Sequence, residues 1–455
     1  MNLVMFLQMT GRGWAWRSPK SRIEDLWTLD LPLYMTKEAE KAKFDAIILG
    51  SWLGVETGSG PLGQCPFTGA YEPFTLIGAL AARTENIGLV ATASTTFEHP
   101  YNTARFLTML DWLSRGRVGW NVVTSTSGEQ HYGIELPPKE ERYSRAKEYM
   151  EICKGLWDAW DEDAVVNDRT GGFWARPDRI HPIDYKGRYY EAQGQLFMHR
   201  SPQGRPVIVQ AGQSREGRDF ASRHAEVVFT AQTDIGAAQA FRRDLRDRAA
   251  AAGRNPDSIK VLPGLNPIVA ETAEQARAFE AQLNEWTPLN LGIERVQRIF
   301  QAELQDLDPD QPIPAERLVS PHEASFENTM AQRDPARVSR YRNFYDMAVK
   351  DKMTLREMIG RTDRDNGHCA PIGSVSQIAD LMQEWYESEA CDGFVVSGAP
   401  AVPEALDTIC QLLIPELQRR GLARTEYEGT TLRDHLGLER PRTPARPSKA
   451  GSVVS

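Results

Sequence analysis

Along this chain, short and nearly unbroken apolar runs rich in β-branched residues alternate with longer stretches whose apolar positions recur at helical spacing. Such runs suit strands buried on both faces, and the alternation suits βα units built around a parallel sheet. Strands are expected at Leu3–Gln8, Asp45–Gly50, Ile87–Thr92, Val118–Thr124, Pro206–Ala211, Val227–Ala231, Ile259–Leu265 and Gly393–Ser397. Helices are expected at Thr36–Lys43, Glu72–Arg83, Asn102–Ser114, Ser144–Trp160, Gly236–Ala252, Ala273–Asn284 and Pro403–Arg420. Eight strands with helices between them point to the α/β class and a (β/α)8 TIM barrel, in which the loops after the strands build the active site.

Two stretches break the rhythm. Asp161–Gly204, rich in aromatics, Gly, Pro and charge, reads as an ordered excursion between the fourth helix and the fifth strand. Glu285–Ile372 separates the seventh strand from the eighth and leaves the barrel where a lid belongs. Its Phe300, Phe326, Tyr341, Phe344 and Tyr345, set among Arg and Asp, suit a folded cover. Residues 1–439 are expected to form one domain carrying these two insertions, and the Pro-, Ser- and Arg-containing tail from Arg440 is expected to be disordered.

Charge and composition exclude some functions. The net charge of −9, from 53 Lys plus Arg against 62 Asp plus Glu, opposes a nucleic-acid or anionic-membrane surface. No run approaches the roughly 18 apolar residues of a membrane span. The opening MNLVMFLQMTGRGWAWR lacks a basic leader and a cleavage site, so Leu3–Gln8 reads as a first strand and the expected compartment is the cytoplasm. Cys65, Cys153, Cys369, Cys391 and Cys410 are odd in number and widely spread, which suits reduced thiols rather than a disulfide framework or a zinc ribbon.

The chemistry must then come from elsewhere. No G-x-S-x-G, H-E-x-x-H or phosphate-loop motif occurs, and the eight histidines form no metal-ligand pair; His368 and Cys369 are adjacent but lack partners at metal spacing. No metal is expected, and an organic cofactor fits better. Gly58-Ser-Gly-Pro-Leu-Gly63 matches a dinucleotide fingerprint but neither leaves a strand directly nor opens a helix, so it reads as a loop. More informative is GRPVIVQAGQSREGRDFASRHAEVVF, where a buried strand runs through Gly212 into Ser214 and a short helix. Glycine permits close backbone approach, and Ser214 is either a helix cap or part of an anion seat at the helix N-terminus. In RVGWNVVTS, Asn121 shares a strand face with Val123 and Ser125, opposite Trp120 and Val122. Its amide needs partners, which a ring with imide edges, another backbone group or a water would supply. Lys139 and Tyr143 lie four apart at the start of a helix, either holding a phosphate or forming a solvated surface pair.

Taken as ordered blocks, these segments resemble the bacterial-luciferase-like flavin monooxygenases, in the branch of the nitrilotriacetate, dibenzothiophene-sulfone and long-chain alkane monooxygenases. The blocks are WAWR, KFDAIILGS, EPFTLIGALAARTENIGLVATASTTFEHPYNTAR, LDWLSRGRVGWNVVTS, RYSRAKEYMEICKGLWDAWDEDA, SPQGRPVIVQAGQSREGRDFASRHAEVVF, CDGFVVSGAPAVPEALDTICQLLIPELQRRG and GTTLRDHLGL. They cover nearly all of the chain up to the tail.

The resemblance implies a luciferase-like barrel that receives FMN as FMNH2 from a separate NAD(P)H:flavin reductase, by transient contact or diffusion alone. It further implies O2 as co-substrate and an oxygenated small organic molecule as product, and the protein is expected to be a homo-oligomer that binds neither nucleic acid nor membrane. Residue by residue, it places flavin contacts at Thr92, Tyr143 and Ser214, with Gly212 in the turn, Ser214 as a phosphate ligand and Asn121 near the ring. Two positions depart: Ser51 stands where the family usually has Asp, and Lys139 where it usually has His. Serine brings no charge, and lysine offers a point charge without a ring. His131 stands where relatives often have Asn. A flavin- or deazaflavin-linked dehydrogenase on the same barrel, or a catalytically silent flavin binder, would share these features.

Overall fold

The computed structural model describes residues 1–8, 14–51, 53, 71–321, 335–364, 367–397 and 402–443. The Gly58–Gly63 match, Cys65 and Phe326 lie outside them. All eight expected strands form: β1 Asn2–Leu7, β2 Ala46–Leu49, β3 Gly88–Ser94, β4 Val118–Val123, β5 Val207–Gln210, β6 Val227–Thr230, β7 Lys260–Leu265 and β8 Gly393–Val396. They close in the order β1-β8-β7-β6-β5-β4-β3-β2, every neighbouring pair parallel.

Alternation within each strand sorts the side chains. Val4, Ile48, Val90, Val209, Val227, Leu262 and Val395 fill the barrel interior, while Leu3, Ile47, Leu89, Trp120, Ile208 and Phe394 pack outward under the helices. Those helices are α1 Asp30–Lys41, α2 Pro73–Ala81, α3 Pro100–Leu113, α4 Lys139–Trp157, α5 Arg215–His224, α6 Ile235–Ala251 and α7 Ala273–Glu285. Several begin earlier than periodicity suggested. α1 starts six residues before Thr36, and α3 starts at Pro100, whose fixed φ and missing N–H suit a first helical turn.

The excursion at 161–204 contains two antiparallel hairpins, Val165–Asp168 with Phe173–Ala175 and Ile183–Lys186 with Glu191–Gly194. It is fastened along α4: Glu148 accepts backbone N–H bonds from Arg188 and Tyr189 at 2.9 Å, and Tyr185 Oη donates to Glu151. The insertion between β7 and β8 carries α8 Leu289–Phe300, α9 Pro335–Val349 and α10 Leu355–Arg364 around its own apolar core. Phe300, Tyr341 and Phe344 are buried in that core, and Tyr345 packs on its edge.

After the insertion come α11 Val375–Glu387, β8, and a helical run from Pro403 to Arg419. This run is interrupted by a π turn, Ile409–Leu413, ending two residues before Pro415, whose missing N–H and bulky ring disfavour a regular α turn. The last helix, α12 Leu432–Leu436, stops the N-terminal end of the barrel. Leu432 and Leu436, one turn apart, join the interior cluster, and a Cβ on Gly88 would lie 2.4 Å from Leu432 Cδ1. Beside them the buried Arg433 pairs with Glu226 at 2.6 Å and donates to the carbonyl of Arg205. Arg440 and Thr443, at the start of the tail expected to be disordered, make contacts with the body of the protein. Arg440 pairs with Glu162 at 2.6 Å, Thr443 Oγ1 accepts from Arg200, and residues 444–455 lie outside the described ones.

Candidate active site

The interior side chains below the mouth are buried, whereas those at the C-terminal ends of the strands open outward. Phe6 and Phe229 belong to the interior cluster yet remain partly exposed, as do Ser125, the Ala211–Ser214 turn, Asn266 and Ser397. Partial exposure of inward-facing residues marks the hollow where barrels of this kind bind ligands.

On one wall Thr92 of β3 and Asn121 of β4 are register neighbours, and Asn121 Nδ2 donates to Thr92 Oγ1 at 2.9 Å. The other end of that amide, Oδ1, is buried without a hydrogen-bond partner. A buried carbonyl oxygen left so costs about 1–3 kcal/mol, so the position suits a ligand bearing a donor. Above it the β3 and β4 ends are stitched together: Ser125 Oγ donates to Ser94 Oγ at 2.7 Å and Thr96 Oγ1 donates to the Thr124 carbonyl. The buried Arg142 donates to the carbonyls of Thr124 and Ser125, locking this rim to the start of α4.

A second group forms where β5 meets α5. Ser214 caps α5, its hydroxyl accepting the Gly217 N–H at 3.1 Å. Gly212 sits against Gly217. A Cβ there would lie 3.0 Å from Gly217 Cα, 3.1 Å from Tyr143 Oη and 2.2 Å from Gln210 Nε2. Only glycine therefore lets strand, helix start and phenol converge. Tyr143 reaches in from α4. Burial raises its pKa, against the hydrogen bonds to the Ser214 and Thr124 side chains, so the phenol stays protonated and able to donate. Because α4 begins at Lys139 itself, Lys139 and Tyr143 do share a face, and both face the start of α5. Lys139 Nζ lies 2.5 Å from Glu216 Oε2. Burial pushes the Glu216 carboxyl up, but the hydrogen bond and charge of Lys139, with hydrogen bonds from the Glu216 backbone and the Ser214 side chain, together hold the group below its ordinary value. Oε1 of the buried Gln210 has no hydrogen-bond partner.

The turn thus offers outward first-turn N–H groups, two hydroxyls and a cation, the donor set of a phosphate seat. Together with the unsatisfied Asn121 oxygen, these residues fit a phosphorylated cofactor with a polar ring.

Of the expected site residues, Lys139, Tyr143, Gly212 and Ser214 come together at one end of the mouth, and Thr92 and Asn121 at another. Ser51 lies two residues past the end of β2, half-buried on the rim. His131 is exposed on the short helix Glu129–Tyr132. Sequence reading missed Thr124, Gln210, Glu216 and Gly217, and it missed the inward-facing Phe6 and Phe229. Strand alternation from Val4 and Val227 would have flagged the two phenylalanines, but no sequence signal links Glu216 to Lys139. Among the described residues no cluster of His, Cys, Asp and Glu could hold a metal, and no helix is long and apolar enough to cross a membrane. Cys153, Cys391 and Cys410 are free thiols.

Comparison with known proteins agrees with this architecture. Residues 28–391 match the model of the luciferase-like monooxygenase family. The chain is 39% identical over 451 residues to N-acetyl-S-(2-succino)cysteine monooxygenase of Bacillus subtilis strain 168, covering 97% of each chain. It is 36% identical over 462 residues to nitrilotriacetate monooxygenase component A of Aminobacter aminovorans, covering 98% of this chain and 99% of that one. Among solved structures, riboflavin lyase with modified FMN and its substrate riboflavin superposes with a TM-score of 0.80 at 28% identity, over 97% of both chains. The protein belongs to the luciferase-like monooxygenases and is a flavin-dependent monooxygenase of that family.

Proposed function

We propose that the protein takes up FMNH2 made by a separate NAD(P)H:flavin reductase and uses it with O2 to oxygenate a small organic substrate. The observation that carries this reading is the convergence of Gly212, Ser214, Tyr143 and Lys139 on the first turn of α5. Ser214, Tyr143 and the α5 N–H groups hold the phosphate, with Lys139 as the nearby positive charge. Thr92 and Asn121 meet the polar edge of the ring, and Ser51 closes the rim beside β2. When bound, reduced FMN supplies the two electrons that reduce O2, so that one oxygen atom enters the substrate and the other leaves as water. The chain's own part is to orient the ring, to supply hydrogen bonds at fixed positions and to exclude water from the mouth. Modified FMN in the related riboflavin lyase structure supports the choice of flavin.

Two measurements test the reading. Reduced FMN should bind well over tenfold more tightly than reduced riboflavin, because several charge-assisted contacts of about 1.5–3 kcal/mol each go to the phosphate. With a flavin reductase, NADH and a panel of organic substrates, mass spectrometry should find a product heavier by one oxygen, with oxygen uptake matching product. Equal affinities for the two flavins would remove the phosphate seat. Substrate oxidation without oxygen incorporation would favour a dehydrogenase instead.

A further inference from the structure

The insertion between β7 and β8 does more than stand beside the mouth: its returning segment is tied to β7. Asn266 N–H donates to the Cys369 carbonyl at 2.8 Å, Ile268 N–H donates to the Pro371 carbonyl at 2.9 Å, and Ile268–Ala270 pairs in parallel with Ile372–Ser374. This ladder fixes the residue just before it, His368. Its ring lies over Gly264, where a Cβ would come within 2.4 Å of Nδ1, 2.8 Å of Cγ and 2.9 Å of Cε1. Gly264 shares the inward face of β7 with Leu262, so the imidazole occupies space inside the barrel mouth that a side chain at position 264 would otherwise fill. There it stacks on Phe229 of β6, with centroids 5.1 Å apart and planes 10° apart, and Phe229 in turn meets Phe6 of β1 at 6.0 Å. All three rings are partly exposed. β7 stands four places from β3 around the barrel, so this wall comes from the side facing Thr92.

A flat, half-exposed aromatic wall facing the polar Thr92–Asn121 pair is a surface for a planar ring with one polar edge. We infer that His368 is a positioning residue of the flavin-ring seat, delivered by the insertion and accommodated by Gly264. This rests on the flavin reading above but concerns the ring and not the phosphate, so riboflavin and FMN probe it equally.

Titrations of FMN and of riboflavin, followed by flavin fluorescence and visible absorption, test it. His368→Ala should weaken both flavins roughly three- to tenfold, leaving their affinity ratio unchanged. His368→Phe, which keeps the stack, should recover most of that loss. Gly264→Ala should weaken binding in the wild-type background and add little in the His368→Ala background, because the three atoms nearest its new Cβ all belong to the imidazole. Unchanged affinity and spectrum in both His368→Ala and Gly264→Ala would overturn the inference, while loss of the FMN preference alone would overturn only the phosphate seat. The wild-type protein gives an independent reading should a variant fail to fold. On illumination of the FMN complex, peptide mass spectrometry should find His368 oxidised faster than the exposed His131, and the reverse order would refute the contact.

Discussion

Lys139 at the first position of α4 and Glu216 in the first turn of α5 form an ion pair of 2.5 Å, 77 residues apart in sequence, at the helix end read as the phosphate seat. The carboxylate explains how the lysine is held. The same carboxylate also sets a negative charge beside the place where a dianion would bind. Glu216→Gln should therefore tighten FMN by roughly threefold without altering riboflavin, and Lys139→Ala should weaken FMN by a similar factor. Added salt should shrink both effects. If Glu216→Gln left FMN binding unchanged, the pair would be a surface contact with no bearing on the seat.

The turn itself gives a second prediction. Ser214→Ala removes the cap of α5 and should cost about 1 kcal/mol of stability, together with a larger relative loss of FMN than of riboflavin affinity. Gly212→Ala should act through geometry, since its Cβ would press on Gln210 Nε2, Gly217 Cα and Tyr143 Oη. Its expected signature is a sharp fall in FMN affinity with the far-ultraviolet circular dichroism unchanged. A Gly212→Ala protein that bound FMN normally would show that the crowded turn is not the ligand's seat.

Much of this was readable from residues alone, and the reasons are physical. Parallel barrel strands are buried on both faces, so their apolar runs stand out locally. The turn from Val207 to Ser214 carries its strand, glycine and cap in one short segment. What could not be read depends on contacts between distant segments. Nothing local in GHCAP announces that His368 lies over Gly264, or that a five-residue helix holding Leu432 and Leu436 stops the barrel floor. The aromatics of the insertion were legible as belonging to a folded unit, but not that Phe300, Tyr341 and Phe344 turn into that unit's own core.

Acid sensitivity should centre on His224. Burial lowers its pKa to about 3, aided by Lys154, whose Nζ is 3.0 Å from Nδ1, and by Arg254, Arg223 and Lys147. A histidine whose folded pKa lies below its unfolded value near 6.5 contributes stability that is complete above that value. The contribution is then lost as pH falls toward 3, by on the order of 2 kcal/mol at pH 5. Asp45 and Asp111, both pushed up to about 6 by burial, work in the opposite sense over part of this window. The test is therefore a difference: the drop in urea midpoint between pH 7 and pH 5 should be smaller in His224→Gln than in the wild type. Parallel pH profiles would show that His224 is not the group responsible.

The last prediction concerns what the insertion does for catalysis. Inward-facing residues at the C-terminal ends of the barrel strands, such as Phe6 and Phe229, are partly exposed, and reduced flavin reacts with O2 whether or not a substrate is in place. Productive oxygenation therefore requires a cover that keeps bulk water from the ring. The insertion can be removed without dismantling the barrel, because α8 to α10 pack around their own core of Val296, Phe300, Leu304, Phe344, Leu355 and Met358. The segment that pairs with Ile268–Ala270 lies after α10, so it can be kept. Replacing residues 288–364 with a short Gly/Ser linker should thus leave a folded protein that binds FMN and still consumes oxygen when FMNH2 is supplied. Oxygen uptake should then yield mainly H2O2, whereas the protein with its insertion should couple it to product. Coupling retained after the deletion would place the cover elsewhere, with the hairpins at 161–204 the next candidate. Retained coupling together with a normal response to His368→Ala would narrow the insertion's contribution to that one side chain.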